Sequence, residues 1–382
     1  MIYLDNGATT KVDKEVVEAM QPYFTEIYGN ASSLHKSGQE AKRALEKARE
    51  TIAKEINAEP DEIIFTSGGT ESDNIALQEI AYTNKDKGNH IITTKIEHPA
   101  IEKTSNALAK DGFKITYLDV DKDGLIDLDQ LKKEITKSTI LVSIIHANNE
   151  IGTIQDIEAI GEICQEKNTY FHTDSVQSFT KVPIDVKKQN IDLASFSAHK
   201  IHGPKGIGAL YIKKGTKIHP LMHGGSQEHQ LKPGTENIPG IIGFKKAVEI
   251  VKKEDIKKMG TLKDYFIEKI QKEIPETVLN GSKTKRLCNN INITFKYIEG
   301  EALLLRLDDK GIEVSTGSAC SSRELKPSHV LTAMGIPAAT AHGSIRFTLS
   351  KYTTKEELDY TITHLKEAVK DLRALSPLWE GN

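Results

Sequence analysis

The sequence predicts an α/β fold: a large domain with a mostly parallel sheet flanked by helices, joined to a smaller α+β domain. Three observations carry this. Short apolar strands alternate with amphipathic helices over the first two-thirds of the chain, the pattern of a parallel sheet covered on both faces. The run "ILVSIIHA" (140–147) is apolar throughout, as strands buried on both faces are. At 382 residues the chain is too long for one ordinary core.

The elements follow in order. Residues 36–58 place Ala44, Leu45, Ala48, Ile52 and Ile56 at helical spacing. "EIIFTS" (62–67) reads as a strand, 71–84 as a helix, "HIITTK" (90–95) as a strand, 99–112 as a helix and "KITYLDV" (114–120) as a strand. After the apolar run come a helix over 156–167 and strands at 170–175, 193–198 and 208–213. Near 245 the pattern changes to one long charged helix through 274, then to a smaller α+β portion ("NNINITF", "EALLLRLDDKG", "GSIRFTLS") and a last amphipathic helix at 354–373. This places the large domain at 13–250 and the small domain at 1–12 together with 251–382.

Composition excludes several classes. With 38% hydrophobic and 27% charged residues the chain is globular rather than disordered or fibrous. A net charge of −3 gives no general pull toward nucleic acid or an anionic membrane. No apolar run reaches the roughly 18 residues of a membrane span, and "MIYLDNGATT" lacks the basic and apolar regions of a secretory signal, so the expected location is cytoplasmic. Cys164, Cys288 and Cys320 are too few and too scattered for a disulfide framework or a zinc site. "DVDKDGLIDLDQL" (119–131) begins like a calcium loop, but Gln130 stands where a bidentate Glu is required and a strand precedes it. It reads as a strand, an Asp/Gly turn and a helix.

Three strand ends carry candidate chemistry. "FTSGGTESDN" (65–74) is a strand, a Gly-Gly turn and a helix start, which aims backbone N–H groups at a phosphate above the turn; Thr70 adds a hydroxyl. It is neither a Walker loop nor GxGxxG, and such turns use glycine equally often for backbone reasons alone. "FHTDSVQSF" (171–179) ends a strand with Asp174 and then Gln177, at the crevice of an open sheet or, equally, as a helix cap. "SFSAHKIHGPKGIGALY" (195–211) breaks a strand into Ser197, His199 and Lys200. A lysine at the inner end of a buried strand is costly unless paired or covalently used, and desolvation makes it a competent amine. A phosphate cradle, a carboxylate and a lysine are together what pyridoxal phosphate (PLP) requires.

On these segments, and on "YLDNGATT", "YGNASSLH", "IEHPA", "HANNEIGTIQ", "GTEN", "STGSACSS", "SHVLTAMG" and "SIRFTLSKYTT", the chain resembles the cysteine desulfurases of the NifS/IscS type, within the class V group of fold-type I PLP enzymes. The resemblance covers essentially the whole chain. It implies a PLP-binding large domain with a seven-stranded type of sheet. Lys200 is then the lysine that holds the cofactor, Asp174 the partner of its ring nitrogen and Gln177 that of its ring oxygen. Gly69, Thr70, Ser197 and His199 hold the phosphate, and His98 stacks on the ring and moves protons. Asn149 and Arg346 bind the substrate carboxylate; Arg is suited to that, since its fork grips a carboxylate bidentately. Thr235 reaches the phosphate of a neighbouring subunit, implying a homodimer. The lesser alternatives are that His98 merely caps a helix and that Arg346 pairs with a surface carboxylate.

The same resemblance gives Cys320 its role. It attacks the sulfur of L-cysteine, carries it as a persulfide and passes it to an acceptor such as an iron–sulfur scaffold, with alanine as the other product. The small polar residues around it suit a segment that must travel. No resident metal is implied, although the resemblance permits Cys320 to share a cluster ligand with a scaffold. Cys164 and Cys288 read as packing residues. The chain departs from the family at Lys232 and Pro233, where Arg and Ser are usual, and at Gly7 and Gly69, where Ala is usual. Lys232 lacks the planar fork of Arg. The alternatives are a class V aminotransferase, which needs no loop thiol, a selenocysteine lyase, and a non-catalytic sulfur carrier, which would not need both Lys200 and Cys320.

Overall fold

The computed structural model describes residues 1–316 and 327–379. The chain opens with the short β1 (Ile2–Tyr3). Next come β2 (Ile63–Thr66), β3 (His90–Thr94), β4 (Lys114–Leu118), β5 (Thr139–Ser143), β6 (Tyr170–Asp174), β7 (Leu193–Ser197) and β8 (Gly208–Ile212). The last strands are β9 (Thr277–Leu279), β10 (Asn290–Phe295), β11 (Ile312–Glu313), β12 (Ser315–Thr316) and β13 (Ser344–Thr348).

β2 to β8 form a seven-stranded sheet in the order β2-β8-β7-β6-β5-β3-β4. Only β8 runs against its neighbours, so β2, β7, β6, β5 and β3 end on the same side. That common side is where an open α/β sheet presents its ligand crevice. The helix Lys36–Glu55 buries Ala41, Leu45, Ala48 and Ile52 toward one face of the sheet. It stops short of 58 because Asn57 turns to a left-handed φ of 58°. Helices Gly69–Thr83 and Pro99–Lys110 supply the apolar cluster of the opposite face through Leu77, Ile80, Ile101 and Leu108.

A second sheet, β12-β13-β10-β9, is antiparallel, and β1 pairs in parallel with β11. Leu4 packs in the same core as Phe266, Ile293, Phe347 and Leu365. The start of the chain is thus built into the second sheet's layer.

Two further sequence expectations change. The helix read as continuous from 245 to 274 is two, Ile238–Glu249 and Lys253–Glu273, with Lys252 extended between them. Each half is amphipathic, but Ile241 and Phe244 bury into the core of the large sheet while Phe266 and Ile270 bury into the second core. One straight rod cannot serve both. The apolar run 140–147 holds regular sheet pairing only through Ser143; Ile144 and His146 continue along β6 by single hydrogen bonds to His172 O and Asp174 O. The Asp/Gly turn is as read: Asp121 accepts from Asp123 N and Leu125 N, and Asp127 caps the helix Leu128–Glu134. Among the described residues no helix is long and apolar enough to cross a membrane, and no group of three His, Cys, Asp or Glu is placed to hold a metal ion.

Candidate active site

The cradle forms where β2 turns into the helix Gly69–Thr83. Gly68 has φ 152° and ψ −177°, a conformation essentially limited to glycine, and no side chain caps the helix. A Cβ on Gly69 would lie 2.5 Å from Val176 Cγ2, and one on Gly68 would lie 3.8 Å from Ser197 Oγ. Bare helix N–H groups, the Ser197 hydroxyl at the end of β7 and the turn after β6 therefore share one small space, an anion-binding arrangement. Thr70, Asn74 and His98 line an open groove leading from it.

Asp174, the last residue of β6, is buried and accepts from Val176 N–H at 2.9 Å. Burial pushes its carboxyl up to about 6, against Val176 N–H and Lys200, which pull it down. Two more buried carboxyls share the neighbourhood. Burial, then Asp174, raises Asp73 well above the usual range. Burial raises Glu97 to about 8, opposed by bonds from Thr94 and Ile145 N–H and reinforced by Asp174. Crowded acids in a low-dielectric pocket reward a cation set among them.

Lys200 sits on the single turn Ala198–Lys200 that ends β7. Its Nζ donates to Gly7 O at 2.5 Å and Ala8 O at 2.7 Å, while Gln177 Nε2 donates to the same Gly7 O at 3.0 Å. The N-terminal strap thus gathers the lysine and the glutamine. Thr10 N–H and hydroxyl both donate to His199 O, tying the strap to the same turn. His199 meets Thr9 Oγ1 at 3.2 Å and is pushed down to about 4, first by burial and then by Lys200 and Lys205.

His98 is indeed the cap of the helix Pro99–Lys110: its Nδ1 accepts from Ala100 N–H at 3.1 Å, which leaves the proton of the neutral ring on Nε2. Burial, then Lys200 and His329, lowers it to about 4. Capping and a place beside Lys200 are compatible.

Arg346 on β13 is buried. It donates from Nη2 to Asp5 Oδ1 at 2.8 Å and from Nη1 to Asn149 O at 3.1 Å. Among the described residues its buried Nε has no hydrogen-bond partner. A Cβ on Gly7 would lie 3.3 Å from that Nε, so glycine here leaves the guanidinium more room than alanine would.

Cys320 lies in 317–326, outside the described residues. The described chain on either side ends beside the site. Ser315 is the register partner of Arg346. On the far side Ser328 donates to buried Glu150 at 2.5 Å, and His329 Nε2 donates to Glu97 O at 2.9 Å. Thr235 is exposed, and no hydrogen bond among the described residues joins it to the cradle. Sequence reasoning gave no role to His329, Asp5, Glu97 or the strap carbonyls. "SHVL", "IEHPA" and "YLDNGATT" marked their places only as motifs.

PLP fits the residues present. The cradle suits a phosphate, the acidic pocket around Asp174 suits a protonated ring nitrogen, and Lys200 stands next to both.

A model of the family Aminotransferase class-V matches residues 2–361. The chain is 55% identical over 379 residues to a protein of Dictyoglomus turgidum named cysteine desulfurase IscS, covering 98% of this chain and 96% of that one. A solved NifS-like protein superposes with a TM-score of 0.91 at 42% identity, covering 97% of this chain and all of that one. A structure described as SspA in complex with cysteine gives 0.84 at 38% identity, over 93% of this chain and all of that one. Fold and site together define a PLP enzyme with a seven-stranded central sheet. The chain belongs to the class-V aminotransferase family.

Proposed function

We propose that this protein is a PLP-dependent cysteine desulfurase that converts L-cysteine to L-alanine, holding the sulfur as a persulfide on Cys320 and passing it to an acceptor. The observation that carries this reading is the pairing of Ser315 with Arg346. The chain enters the thiol-bearing segment from beside the guanidinium that suits a substrate carboxylate. An aminotransferase has no use for a thiol in this segment. The relatives named cysteine desulfurase and the neighbour solved with cysteine support the same reading.

When bound, PLP supplies an electron sink that makes the substrate's Cα proton and Cβ–Sγ bond labile. The chain supplies the rest. Gly69, Thr70, Ser197 and His199 hold the phosphate, Asp174 the ring nitrogen and Gln177 the ring oxygen. Lys200 is the covalent anchor and then the base at Cα. Neutral His98 has its Nε2 proton to give. Arg346, with Asn149, grips the carboxylate. Cys320 sulfur bonds to substrate Sγ as the Cβ–Sγ bond breaks, and the substrate carbon gains the proton that makes it alanine.

Thr235, exposed on its own subunit, reaches the phosphate of a second copy, which makes the working unit a homodimer. Residues 13–250 form the cofactor-binding unit, and 1–12 with 251–382 the unit that brings Cys320. The acceptor is an iron–sulfur scaffold and the compartment the cytoplasm. The deciding assay incubates the PLP-loaded protein with L-cysteine and a thiol reductant. Alanine and sulfide in equal amounts are expected; a keto acid formed only with an amino acceptor would replace this reading with transamination.

A further inference from the structure

Lys181 belongs to none of the roles above, yet its ammonium lies against the site from behind. Its Nζ donates to Gln177 O at 3.0 Å and to Lys200 O at 3.2 Å. The two carbonyls belong to different strand-end loops, one after β6 and one after β7. The side chains of the same two residues meet at Gly7 O. Gln177 and Lys200 are therefore gripped twice, by backbone through Lys181 and by side chain through the strap.

The local backbone is shaped for this grip. Thr180, a β-branched residue, takes a left-handed φ of 64°, a conformation that persists only where the surroundings impose it. The turn 175–182 closes through Phe179 N–H to Ser175 O and Val182 N–H to Ser178 O. Lys181 follows the strained residue and points back under the loop. Burial pushes its ammonium down to about 8, and the Cys288 thiol, which faces it, opposes that shift. A partly buried cation kept beside the site is costly unless it bonds something worth holding.

We propose that Lys181 is a positioning residue: by bonding the backbone carbonyls of Gln177 and Lys200, it sets where the anchoring amine and the ring-oxygen donor stand relative to one another. The inference rests on the roles proposed above for those two residues. It treats them as one rigid pair rather than two independent contacts.

The test compares wild type with Lys181→Met, which keeps length but cannot donate, and Lys181→Arg, which restores a donor. PLP is titrated into the apo forms, following the visible absorption band formed with Lys200 and the pH at which that band changes. Amide exchange of 175–203 is measured without cofactor. Losing two charge-assisted bonds predicts about tenfold weaker PLP binding in the Met variant. It also predicts a shifted band transition and faster exchange, with Arg recovering most of each. Unchanged PLP affinity, band transition and exchange in the Met variant would overturn the inference, even if its melting temperature fell. Should Met at 181 prevent folding, Lys181→Gln, which can serve one carbonyl, is judged by the same readouts. A wild-type protein that forms no band with PLP would instead overturn the cofactor reading itself.

Discussion

Arg346 is held by Asp5: Nη2 donates to Asp5 Oδ1 at 2.8 Å, while Nη1 is taken by Asn149 O. Asp5 and Asn149 O fix the guanidinium, and among the described residues its buried Nε has no hydrogen-bond partner. Replacing Arg346 by Lys keeps the charge and loses the fork. Steady-state kinetics should show KM for L-cysteine raised about tenfold or more. Asp5→Asn should raise it less, because the amide oxygen still accepts. A Lys variant with unchanged KM would remove Arg346 from substrate binding.

Gly69 is required by Val176. An added Cβ would come within 2.5 Å of Val176 Cγ2, against the residue whose N–H serves Asp174. Gly69→Ala should weaken PLP binding by about 1–3 kcal/mol through overpacking. The double variant Gly69→Ala with Val176→Ala should regain most of it, as contacting residues couple. Equal losses in the single and double variants, in a PLP titration, would break the link.

Glu97 gives the apo protein a pH dependence of known sign. Its carboxyl holds a proton up to about pH 8 in the fold but loses it in the ordinary range when unfolded. Between those values the folded state binds the extra proton, so stability falls as pH rises toward 8. Glu97→Gln removes this loss. The variant should gain on wild type from pH 5 to pH 8.5, by a total on the order of a few kcal/mol. Denaturant titrations at both pH values check it; a constant difference would mean Glu97 is already ionised.

Much of this architecture was legible in the sequence, for identifiable reasons. Strands such as 62–67 and 193–198 are short, apolar and bounded by turn residues, and the polar groups at their ends stand where an open sheet binds ligands. The break at Lys252 was not legible, because both flanking helices are amphipathic and only the tertiary structure assigns their faces to different cores. Lys181 and His329 escaped notice because their partners are backbone carbonyls, which leave no side-chain signature. Thr235 drew attention through resemblance alone. A single chain leaves it exposed.

The segment leading to Thr235 is pinned by a buried ion pair. Arg49 bonds Glu228 through two nitrogens at 2.8 and 2.9 Å, and Glu228 also accepts from Phe65 N–H on the edge strand β2. Glu228, His229 and Gln230 all have positive φ, a strain this anchor holds in place. Glu228→Ala would leave Arg49 buried and unpaired, costing about 3–5 kcal/mol. The exposed pair Lys14–Glu18 should cost under about 1 kcal/mol when broken. Comparable losses for the two in equilibrium unfolding would deny Glu228 its anchoring role.

The proposed step is transfer of sulfur to Cys320. Its most direct test is peptide-mapping mass spectrometry of the PLP-loaded protein after brief exposure to L-cysteine. The peptide carrying Cys320 should gain one sulfur atom that reduction removes, while those carrying Cys164 and Cys288 stay unchanged. Alanine accumulating with Cys320 unmodified would contradict the account.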